Sequence, residues 1–260
     1  MLAGAVTALL LASAPGFQAL EPGLELGAFD GPAGGAPGTI SIVRIDPARF
    51  ELKLLNASAA GEGAARTARG WAEKAGAAAA INASMYQEDY RTSVSLMRTR
   101  EHVNQRRVSK DRAVLAFDPL ASGVPPARII DRDCDDLATA GQAYGTLIQS
   151  IRMVSCHRRN VWAPSERAFS AAAIGVDGHG RILFIHARAA WPVHDLVEAL
   201  LALPIDLRQA MYVEGGPEAQ LFVRGGGQVH EWVGAFERLP GAQNRDAWPV
   251  PNVIAAVRRR

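Results

Sequence analysis

The stretch Ser170-Ala-Ala-Ala-Ile-Gly-Val-Asp-Gly-His-Gly-Arg-Ile-Leu-Phe-Ile-His-Ala187 predicts a β-hairpin at the centre of the fold. Residues 170–176 and 181–187 each read as a strand, and Asp177-Gly-His-Gly180 between them is typical of a tight turn. Because a strand and not a helix follows this turn, its glycines do not form a dinucleotide-binding fingerprint. The hairpin therefore favours antiparallel pairing.

The regions on either side of the hairpin add a helix and further strands. Trp191-Pro192 starts a helix that Pro204 ends. One face of this helix is apolar and carries Val193, Leu196, Val197, Leu200 and Leu201. Residues 39–45 and 50–55 predict a second hairpin. Because strands and helices do not alternate strictly, we predict an α+β fold in a single domain, with a mixed, largely antiparallel sheet and packed helices.

Composition limits the class of function. The chain has 260 residues, 48% of them hydrophobic, and a net charge of +2. This is enough to bury one core, and the scattered basic residues do not favour nucleic acid as a partner. Only Cys134 and Cys156 are present, which predicts one disulfide in an exported protein, whereas a reduced buried pair is the alternative in the cytosol.

The N-terminus has the composition of an export signal. Residues 1–14 are rich in Ala and Leu, carry no charge and precede Pro15-Gly16. We predict a signal peptide over residues 1–20, a Gly/Pro-rich linker over 21–38 and the domain over 39–260. The apolar stretch is short for a stable membrane span. An N-terminal helix docked on the domain is the alternative.

Several common catalytic motifs are absent from the sequence. It contains no phosphate-binding Gly-rich loop with Lys-Ser/Thr, no Gly-x-Ser-x-Gly and no His-Glu-x-x-His. We therefore expect neither an organic cofactor nor a catalytic metal. The acidic run 131–136 lacks the Gly and the distal Glu of a calcium loop, so we interpret it as the N-terminal acids of a helix over 136–144.

Two stretches carry more polar groups than packing requires. The apolar strand 146–156 contains Gln149, Ser150, Arg152 and Ser155, and His157 follows it. A structural hydrogen-bond network is one interpretation of these residues, and a ligand site is the other. In Ala210-Met-Tyr-Val-Glu-Gly-Gly-Pro-Glu-Ala-Gln-Leu221, the carboxylate of Glu214 ends an apolar run before a Gly-Gly turn. This acid is either a site residue or a surface group beside an ordinary turn.

Three segments resemble motifs of the phosphodiester glycosidase family. They are Asn82-Ala83-Ser84, Ser170-Ala-Ala-Ala-Ile-Gly175 and Glu214-Gly215-Gly216, and the resemblance spans residues 82–221. At the matching positions the family shows Asn-Gly-Gly, an Arg-bearing hairpin strand that runs into Ile/Val-Gly, and Asp-Gly-Gly. The chain thus departs from the family at each motif. Ser170 or Ala171 stands near the place of the hairpin Arg.

The resemblance implies hydrolysis of a sugar-1-phosphodiester in an envelope polymer or glycoconjugate. Glu214, Arg152 and Ser170 form the predicted catalytic set, in which Glu214 activates water or stabilises an oxocarbenium-like carbon and Arg152 holds the phosphate. Arg158 is the alternative phosphate ligand, and His186 a candidate proton carrier. The predicted substrate-binding residues are Asn82, Tyr86, Gln149, Ser150, His157, Gly215 and Gly216.

Two other functions remain open at this stage. A relative without the phosphate Arg binds carbohydrate without cleaving it. A conventional glycosidase needs a second carboxylate about 5 to 10 Å from Glu214, for which Glu218 and Asp177 are the candidates. In each case the partner is a carbohydrate or glycosyl phosphate, and the oligomeric state is left open.

Overall fold

Antiparallel strands make up most of the protein. The computed structural model describes residues 16–31, 38–235 and 246–259. Within these ranges the strands are β1 Phe17–Glu21, β2 Leu24–Asp30, β3 Thr39–Ile45, β4 Phe50–Asn56, β5 Ala79–Asn82, β6 Met97–Arg98, β7 Val103–Gln105, β8 Ala113–Pro119, β9 Ala127–Asp131, β10 Tyr144–Val154, β11 Ala168–Asp177, β12 Ile182–Pro192, β13 Leu207–Gly215, β14 Gln220–Gly225, β15 Gln228–Val233 and β16 Asn252–Arg258.

Helices are few and short. The described helices are α1 Ala68–Ala75, α2 Leu137–Gln142, α3 Val193–Ala202 and a 3₁₀ turn at Gly216–Glu218. The Asp136 carboxylate caps α2 by accepting from two backbone N–H groups, as the acidic-run interpretation requires. The prediction of an α+β fold with packed helices is wrong in its helical part, and the protein is mainly antiparallel β.

The strands form two sheets. In the larger sheet the order is β1-β2-β3-β12-β11-β13-β10-β6-β7, with β8 and β9 continuing from β10, and in the smaller it is β15-β14-β5-β16-β4. The predicted hairpin is confirmed, since β11 pairs with β12 at the centre of the larger sheet. One core cluster joins the sheets, with Ile174 and Val213 from the larger and Ile81 and Ile254 from the smaller.

The opposite face of the larger sheet is covered by α3. Its Leu196, Val197 and Leu200 pack with Leu183 and Ile185 of β12 in a second core cluster. The predicted apolar helix face is therefore the face that is buried. Because α3 covers one face and the smaller sheet the other, the central strands are buried on both sides.

The N-terminal part of the chain differs from the prediction. β2 pairs with β3 along its whole length, and Leu20 and Leu24 are buried in the main core. Residues 21–30 are therefore part of the sheet and not a linker, and the predicted signal boundary at residue 20 falls inside β1. Residues 1–15 and 32–37 of these predicted segments lie outside the described residues. Gly/Pro richness misled here because the strand residues between the glycines are apolar enough to pack.

The predicted disulfide is present. Cys134 and Cys156 are bonded, with a Cα–Cα distance of 6.6 Å, and this joins the turn after β9 to the end of β10. In the described part of the chain, the helices are all too short or too polar to cross a membrane.

Candidate active site

Glu214 and His186 lie on either side of one central residue. Ala172 of β11 is opposite His186 of β12 on one side and opposite Glu214 of β13 on the other. Directly opposed residues of antiparallel strands project from the same face of the sheet. Ala172 belongs to the core cluster between the two sheets. The acid and the imidazole therefore lie on the face that meets the smaller sheet.

A β-bulge in β13 sets the position of Glu214. Tyr212 is opposite Ala173 and Glu214 is opposite Ala172, so Val213 is an extra residue on its strand. Bulges bend a strand and redirect the side chains that follow, and they occur often beside active sites. Here the bulge falls immediately before the acid. Strand alternation in the sequence did not predict it.

The two glycines after Glu214 are required for different reasons, the first by a close contact and the second by its backbone conformation. A Cβ on Gly215 would lie 1.8 Å from the Tyr212 hydroxyl oxygen. Gly216 has φ +62°, a left-handed conformation that favours glycine, and it starts the 3₁₀ turn that carries Glu218. A Cβ on Gly216 would be 3.7 Å from Glu218 Oε2, so this side chain folds back over the turn.

The environment of Glu214 keeps its proton on at neutral pH. Burial raises the pKa of Glu214 to about 8, against a hydrogen bond of 3.0 Å from the Gly215 N–H that lowers it, and the charge of Glu218 adds to the rise. Burial also raises the pKa of Tyr86, and the charges of Glu214 and Glu218 add to that effect. The site therefore combines a protonated acid, a neutral phenol and a second carboxylate.

His186 is a neutral imidazole. It is fully buried, and burial lowers its pKa to about 4. Its Nε2 lies 3.2 Å from the carbonyl oxygen of Ala219, to which it donates, so Nδ1 carries the lone pair. The predicted proton carrier would have to work against this low basicity. The imidazole instead fixes the backbone immediately after the 3₁₀ turn.

Asn82 holds the same segment from the smaller sheet. Its Nδ2 donates to the carbonyl oxygen of Glu218 at 3.0 Å, and its Oδ1 accepts from the Gln220 N–H at 2.7 Å. Both ends of the amide are thus used by backbone. The structure places Asn82 in the site as a support for the turn that carries Glu218, and the predicted contact with sugar hydroxyls stays a prediction.

Ser170 and Arg188 border the site on the hairpin. The Ser170 hydroxyl donates to the Arg188 carbonyl oxygen at 2.5 Å and accepts from the Ala235 N–H at 2.9 Å. The Arg188 guanidinium donates to the carbonyl oxygen of Val233. The sequence did not single out Arg188. Its signal is its spacing, because a residue two positions after His186 on one strand shares the same face.

The segment after β15 closes over this border. A Cβ on Gly234 would lie 1.8 Å from the carbonyl oxygen of Gly216 and 3.0 Å from Ser170 Cβ. Gly234 therefore allows its backbone to approach that of Gly216 more closely than any residue with a side chain would permit. Ser170 and Arg188 hold the neighbouring residues of the same segment.

The predicted phosphate ligands lie elsewhere. Arg152 Nη1 is 2.5 Å from Asp131 Oδ1 and 2.8 Å from Asp133 Oδ2, so two carboxylates already neutralise it. Arg152 is opposite Met211, three residues before Glu214. Arg158 donates to the carbonyl oxygen of Leu207, at the start of β13, and to that of Leu201 in α3. These contacts are structural, and we assign the phosphate to neither arginine.

Gln149, Ser150 and His157 are also held by structural contacts. Gln149 makes hydrogen bonds to the backbone of Ser109 through both ends of its amide, which is the network interpretation of the polar strand. The Ser150 hydroxyl donates to the Tyr212 carbonyl oxygen at 2.5 Å, next to the bulge. His157 Nε2 is 3.6 Å from Cys134 Sγ, beside the disulfide.

The structure also excludes one candidate for the second acid and one group of possible metal ligands. Asp177 forms a salt bridge with Arg181 at the far end of β11, which leaves Glu218 as the acid beside Glu214. Cys134, Cys156 and His157 bring three ligand atoms within 4.8 Å, but both sulfurs are in the disulfide and cannot act as thiolate ligands.

A cavity of about 690 Å³ opens elsewhere, along β4. Its lining includes Phe50, Asn56, His102, Phe117 and Arg259. None of the residues that we call the Glu214 cluster, namely Tyr86, His186, Glu214 and Glu218, lines it. Size alone would favour this cavity as a binding site. The paired acids and the perturbed pKa values favour the Glu214 cluster, and we place the site there.

Comparison with known proteins agrees with this architecture. The family model for phosphodiester glycosidases (NAGPA) matches residues 75–257. The fold is similar to that of the catalytic domain of zebrafish N-acetylglucosamine-1-phosphodiester α-N-acetylglucosaminidase, auto-inhibited by its pro-peptide. The two chains are 12% identical, with a TM-score of 0.68, and the match covers 93% of this chain and 86% of the zebrafish chain. A hypothetical protein from Synechocystis has 15% identity and a TM-score of 0.60 over 92% of this chain and 62% of its own. Among curated protein sequences, none matches significantly. The family match covers well over half of the sequence, and the chain therefore belongs to the phosphodiester glycosidase family.

Proposed function

We propose that the protein is an exported hydrolase that cleaves the bond between the anomeric carbon and the phosphate oxygen of a sugar-1-phosphodiester in an envelope polymer or glycoconjugate. Family membership supports the reaction class. The observation that carries the proposal is the partly buried Glu214, which keeps its proton at neutral pH, beside the second acid Glu218. The disulfide supports an oxidising compartment outside the cytosol.

In the proposed reaction Glu214 is the general acid. Its carboxyl donates a proton to the bridging phosphate oxygen as the bond to the anomeric carbon breaks, and a phosphate monoester leaves. Water adds to the anomeric carbon, and Glu218 accepts the water proton. This differs from the role predicted from the sequence, in which the Glu214 carboxylate activates water or stabilises an oxocarbenium-like carbon. A carboxyl with a pKa of about 8 is protonated at neutral pH and does not repel an anionic phosphodiester.

We assign the phosphate charge to Arg188. Its backbone carbonyl accepts from Ser170, and its charge acts on His186, so it lies at the border of the site. A guanidinium presents paired donors that match two phosphate oxygens. Arg188 thereby supplies the charge that the hairpin strand lacks near Ser170 or Ala171. Tyr86 stays protonated beside both acids and can donate to the sugar or the phosphate.

The assay that tests this function measures sugar release from an alkyl sugar-1-phosphodiester by wild type and Glu214→Gln. General acid catalysis contributes about 10²- to 10⁴-fold, so we expect a loss of at least 100-fold in kcat for Glu214→Gln. Glu101→Gln, at an exposed acid outside the site, is the matched control and should equal wild type. Equal rates for wild type and Glu214→Gln would contradict the proposal.

An aryl glycoside without phosphate tests conventional glycoside hydrolysis in the same assay. Turnover of this glycoside in preference to the phosphodiester would show that the protein is a conventional glycosidase.

One observation favours a second function, carbohydrate binding without turnover. The resemblance to the family puts Ser170 or Ala171 near the place of the family's hairpin arginine. If Arg188 does not replace that charge, the site binds the sugar phosphate and leaves it intact. Calorimetric binding of the phosphodiester to wild type without sugar release over hours would favour this alternative.

A further inference from the structure

The net positive charge of the protein is concentrated between β5 and β8. Residues 83–112 carry seven basic and four acidic side chains, an excess of three. The whole chain has 28 basic and 26 acidic residues, which leaves 21 basic and 22 acidic residues outside this segment. The segment therefore accounts for the entire net charge of +2.

Three exposed cations of this segment lie on the loop between β7 and β8. They are Arg106, Arg107 and Lys110, and we call them the basic patch. Within the part of the chain that the structure describes, no carboxylate forms an ion pair with any of the three, whereas the next basic residue, Arg112, is paired with Asp133 at 3.2 Å. An anion can therefore bind the basic patch without displacing an internal partner, and the summed field of three like charges attracts it.

Hydrogen bonds fix the loop that carries the basic patch. The Ser109 N–H donates to Gln149 Oε1 at 2.9 Å, and the Ser109 hydroxyl donates to Asp111 Oδ2 at 2.6 Å. The Arg107 guanidinium donates to the Val94 carbonyl oxygen at 3.1 Å. Three like charges within five residues repel one another, so it costs free energy to hold them together without an anion. The loop holds its cations in this arrangement in the unliganded protein.

The basic patch adjoins the candidate site. Val94, which accepts from Arg107, donates its own N–H to the Met85 carbonyl oxygen at 3.2 Å. The next residue, Tyr86, belongs to the Glu214 cluster and is affected by its acids. The paired backbones of Met85 and Val94 thus separate the patch from the cluster. A chain bound at the acids can continue across them to the patch.

We propose that the basic patch is a second phosphate-binding site, which holds a neighbouring phosphate of the same substrate while Glu214 acts on another. Guanidinium and ammonium groups bind phosphate through charge-assisted hydrogen bonds, and arginine offers paired donors. This inference rests on the proposed function and narrows its substrate class. The substrate is a polymer with a phosphodiester in every repeat unit, because a glycoconjugate with a single phosphodiester has no second anion to place on the patch.

The composition of the patch favours a polymer over a membrane surface. Protein segments that bind a lipid surface combine cations with large apolar side chains that enter the headgroup region. Within residues 106–110 the sole apolar side chain is Val108, which is 46% exposed. The patch therefore provides charge without an apolar face.

Two substrates test the inference, one with a single sugar-1-phosphodiester of glycerol and one with four such units in a chain. For the triple variant Arg106→Gln, Arg107→Gln and Lys110→Gln we expect KM for the four-unit substrate to rise about 10-fold at about 0.1 M salt. We expect KM for the single-unit substrate and kcat for both to stay within about two-fold of wild type. The difference in KM should shrink at about 1 M salt, where the screening length falls from about 10 Å to about 3 Å.

Two control variants separate the patch from general effects of charge and folding. The triple variant Arg49→Gln, Lys53→Gln and Arg208→Gln removes the same charge from exposed residues elsewhere and should leave both KM values unchanged. The double variant Arg106→Lys and Arg107→Lys keeps the charge of the patch and should retain most of the affinity for the four-unit substrate.

An equal rise in KM for both substrates, no rise for either, or the same rise in the charge-keeping variant would overturn the inference and leave the proposed function intact. Co-sedimentation of wild type with vesicles of equal parts phosphatidylglycerol and phosphatidylcholine, lost in the triple patch variant, would assign the patch to a membrane surface instead.

Failure of the proposed function is distinguishable, because wild type would then cleave neither substrate. In that case calorimetry with the four-unit chain provides the test. Tighter binding to wild type than to the triple patch variant supports the second phosphate site, and equal binding contradicts it.

Discussion

At the residue scale, the partial burial of Glu214 destabilises its ionised form. An ionised carboxylate in this partly buried position has lost much of its hydration and is repelled by the charge of Glu218, and among the described residues the Gly215 N–H offsets part of this cost. The acid is therefore stored in its protonated form. Such a group is expected at a functional site, where stability is given up for reactivity.

The burial of Glu214 makes stability depend on pH. Its ordinary pKa is 4.5 and its folded pKa is about 8. Between these values the unfolded chain releases the proton while the folded protein keeps it, so the free energy of unfolding falls as pH rises from about 4.5 to 8 and then levels off. Glu214→Gln removes this penalty, which is on the order of a few kcal/mol.

Thermal unfolding of wild type and Glu214→Gln measures this effect. We expect equal melting temperatures near pH 4, a growing advantage for Glu214→Gln up to pH 8, and a constant difference above it. The same comparison with Glu101→Gln should show no trend, because that side chain is exposed. A melting-temperature difference that is constant from pH 4 to 9 would contradict the raised pKa.

At the element scale, the site depends on how three short segments meet. The bulge in β13, the 3₁₀ turn Gly216–Glu218 and the end of β15 are joined by Asn82 and by the close approach at Gly234. None of these features has a period that sequence patterns reveal. We therefore expect the geometry of the site to depend on the contacts that hold these three segments together.

Asn82→Ala tests the support from the smaller sheet. It leaves the Glu218 carbonyl and the Gln220 N–H without their partner, which costs about 1 to 3 kcal/mol of stability. Because the turn that carries Glu218 is released, we expect kcat to fall about 10-fold or more while KM changes little. Asn160→Ala removes a similar set of bonds, to His194 and Glu198, on α3. A loss of stability with unchanged kcat in both variants would show that Asn82 has a structural role alone.

Gly234→Ala tests the close approach. The added Cβ would overlap the Gly216 carbonyl oxygen at 1.8 Å, so the two segments must separate. We expect a loss of activity of 10-fold or more, measured as kcat/KM, together with a lower melting temperature. Gly63→Ala is the control, because a Cβ on Gly63 would meet no atom within 4 Å and would add backbone strain alone, at φ +77°. Equal activity in both variants would show that the separation does not reach Glu218.

At the scale of the whole molecule, the disulfide and the site lie at opposite ends of β13. Arg158, two residues after Cys156, contacts Leu207 at the start of the strand, whereas Glu214 lies near its end. The disulfide therefore stabilises the fold without shaping the site. Its closed loop has a sequence separation of 22 residues, and such a crosslink typically contributes about 2 to 4 kcal/mol.

Removal of the disulfide tests this separation. For the double variant Cys134→Ala and Cys156→Ala we expect a melting temperature lower by several degrees and a kcat within about two-fold of wild type at 25 °C. Thermal unfolding and the sugar-release assay provide the two measurements. A large fall in kcat in the folded double variant would mean that the disulfide end of β10 reaches the site.

The sequence predicted those features that local pattern determines. The hairpin β11–β12, the apolar face of α3, the disulfide and the family are confirmed. The predictions were wrong where contacts between residues far apart in the sequence determine the structure. Arg152 has a flexible side chain that reaches Asp131 across the fold, and nothing local reveals that partner. Strand β2 reads as a linker in the sequence, and most of β1 as part of a signal peptide, because their core contacts come from β3 and β14.

The pH dependence of kcat/KM on a sugar-1-phosphodiester tests the central claim most directly, because it shows in which form Glu214 works. If Glu214 is the general acid, kcat/KM falls about ten-fold per pH unit above a pKa near 8, and this alkaline limb disappears in Glu214→Gln. A rate that instead rises through pH 8 in wild type would mean that the ionised carboxylate is the active form, and would contradict the account.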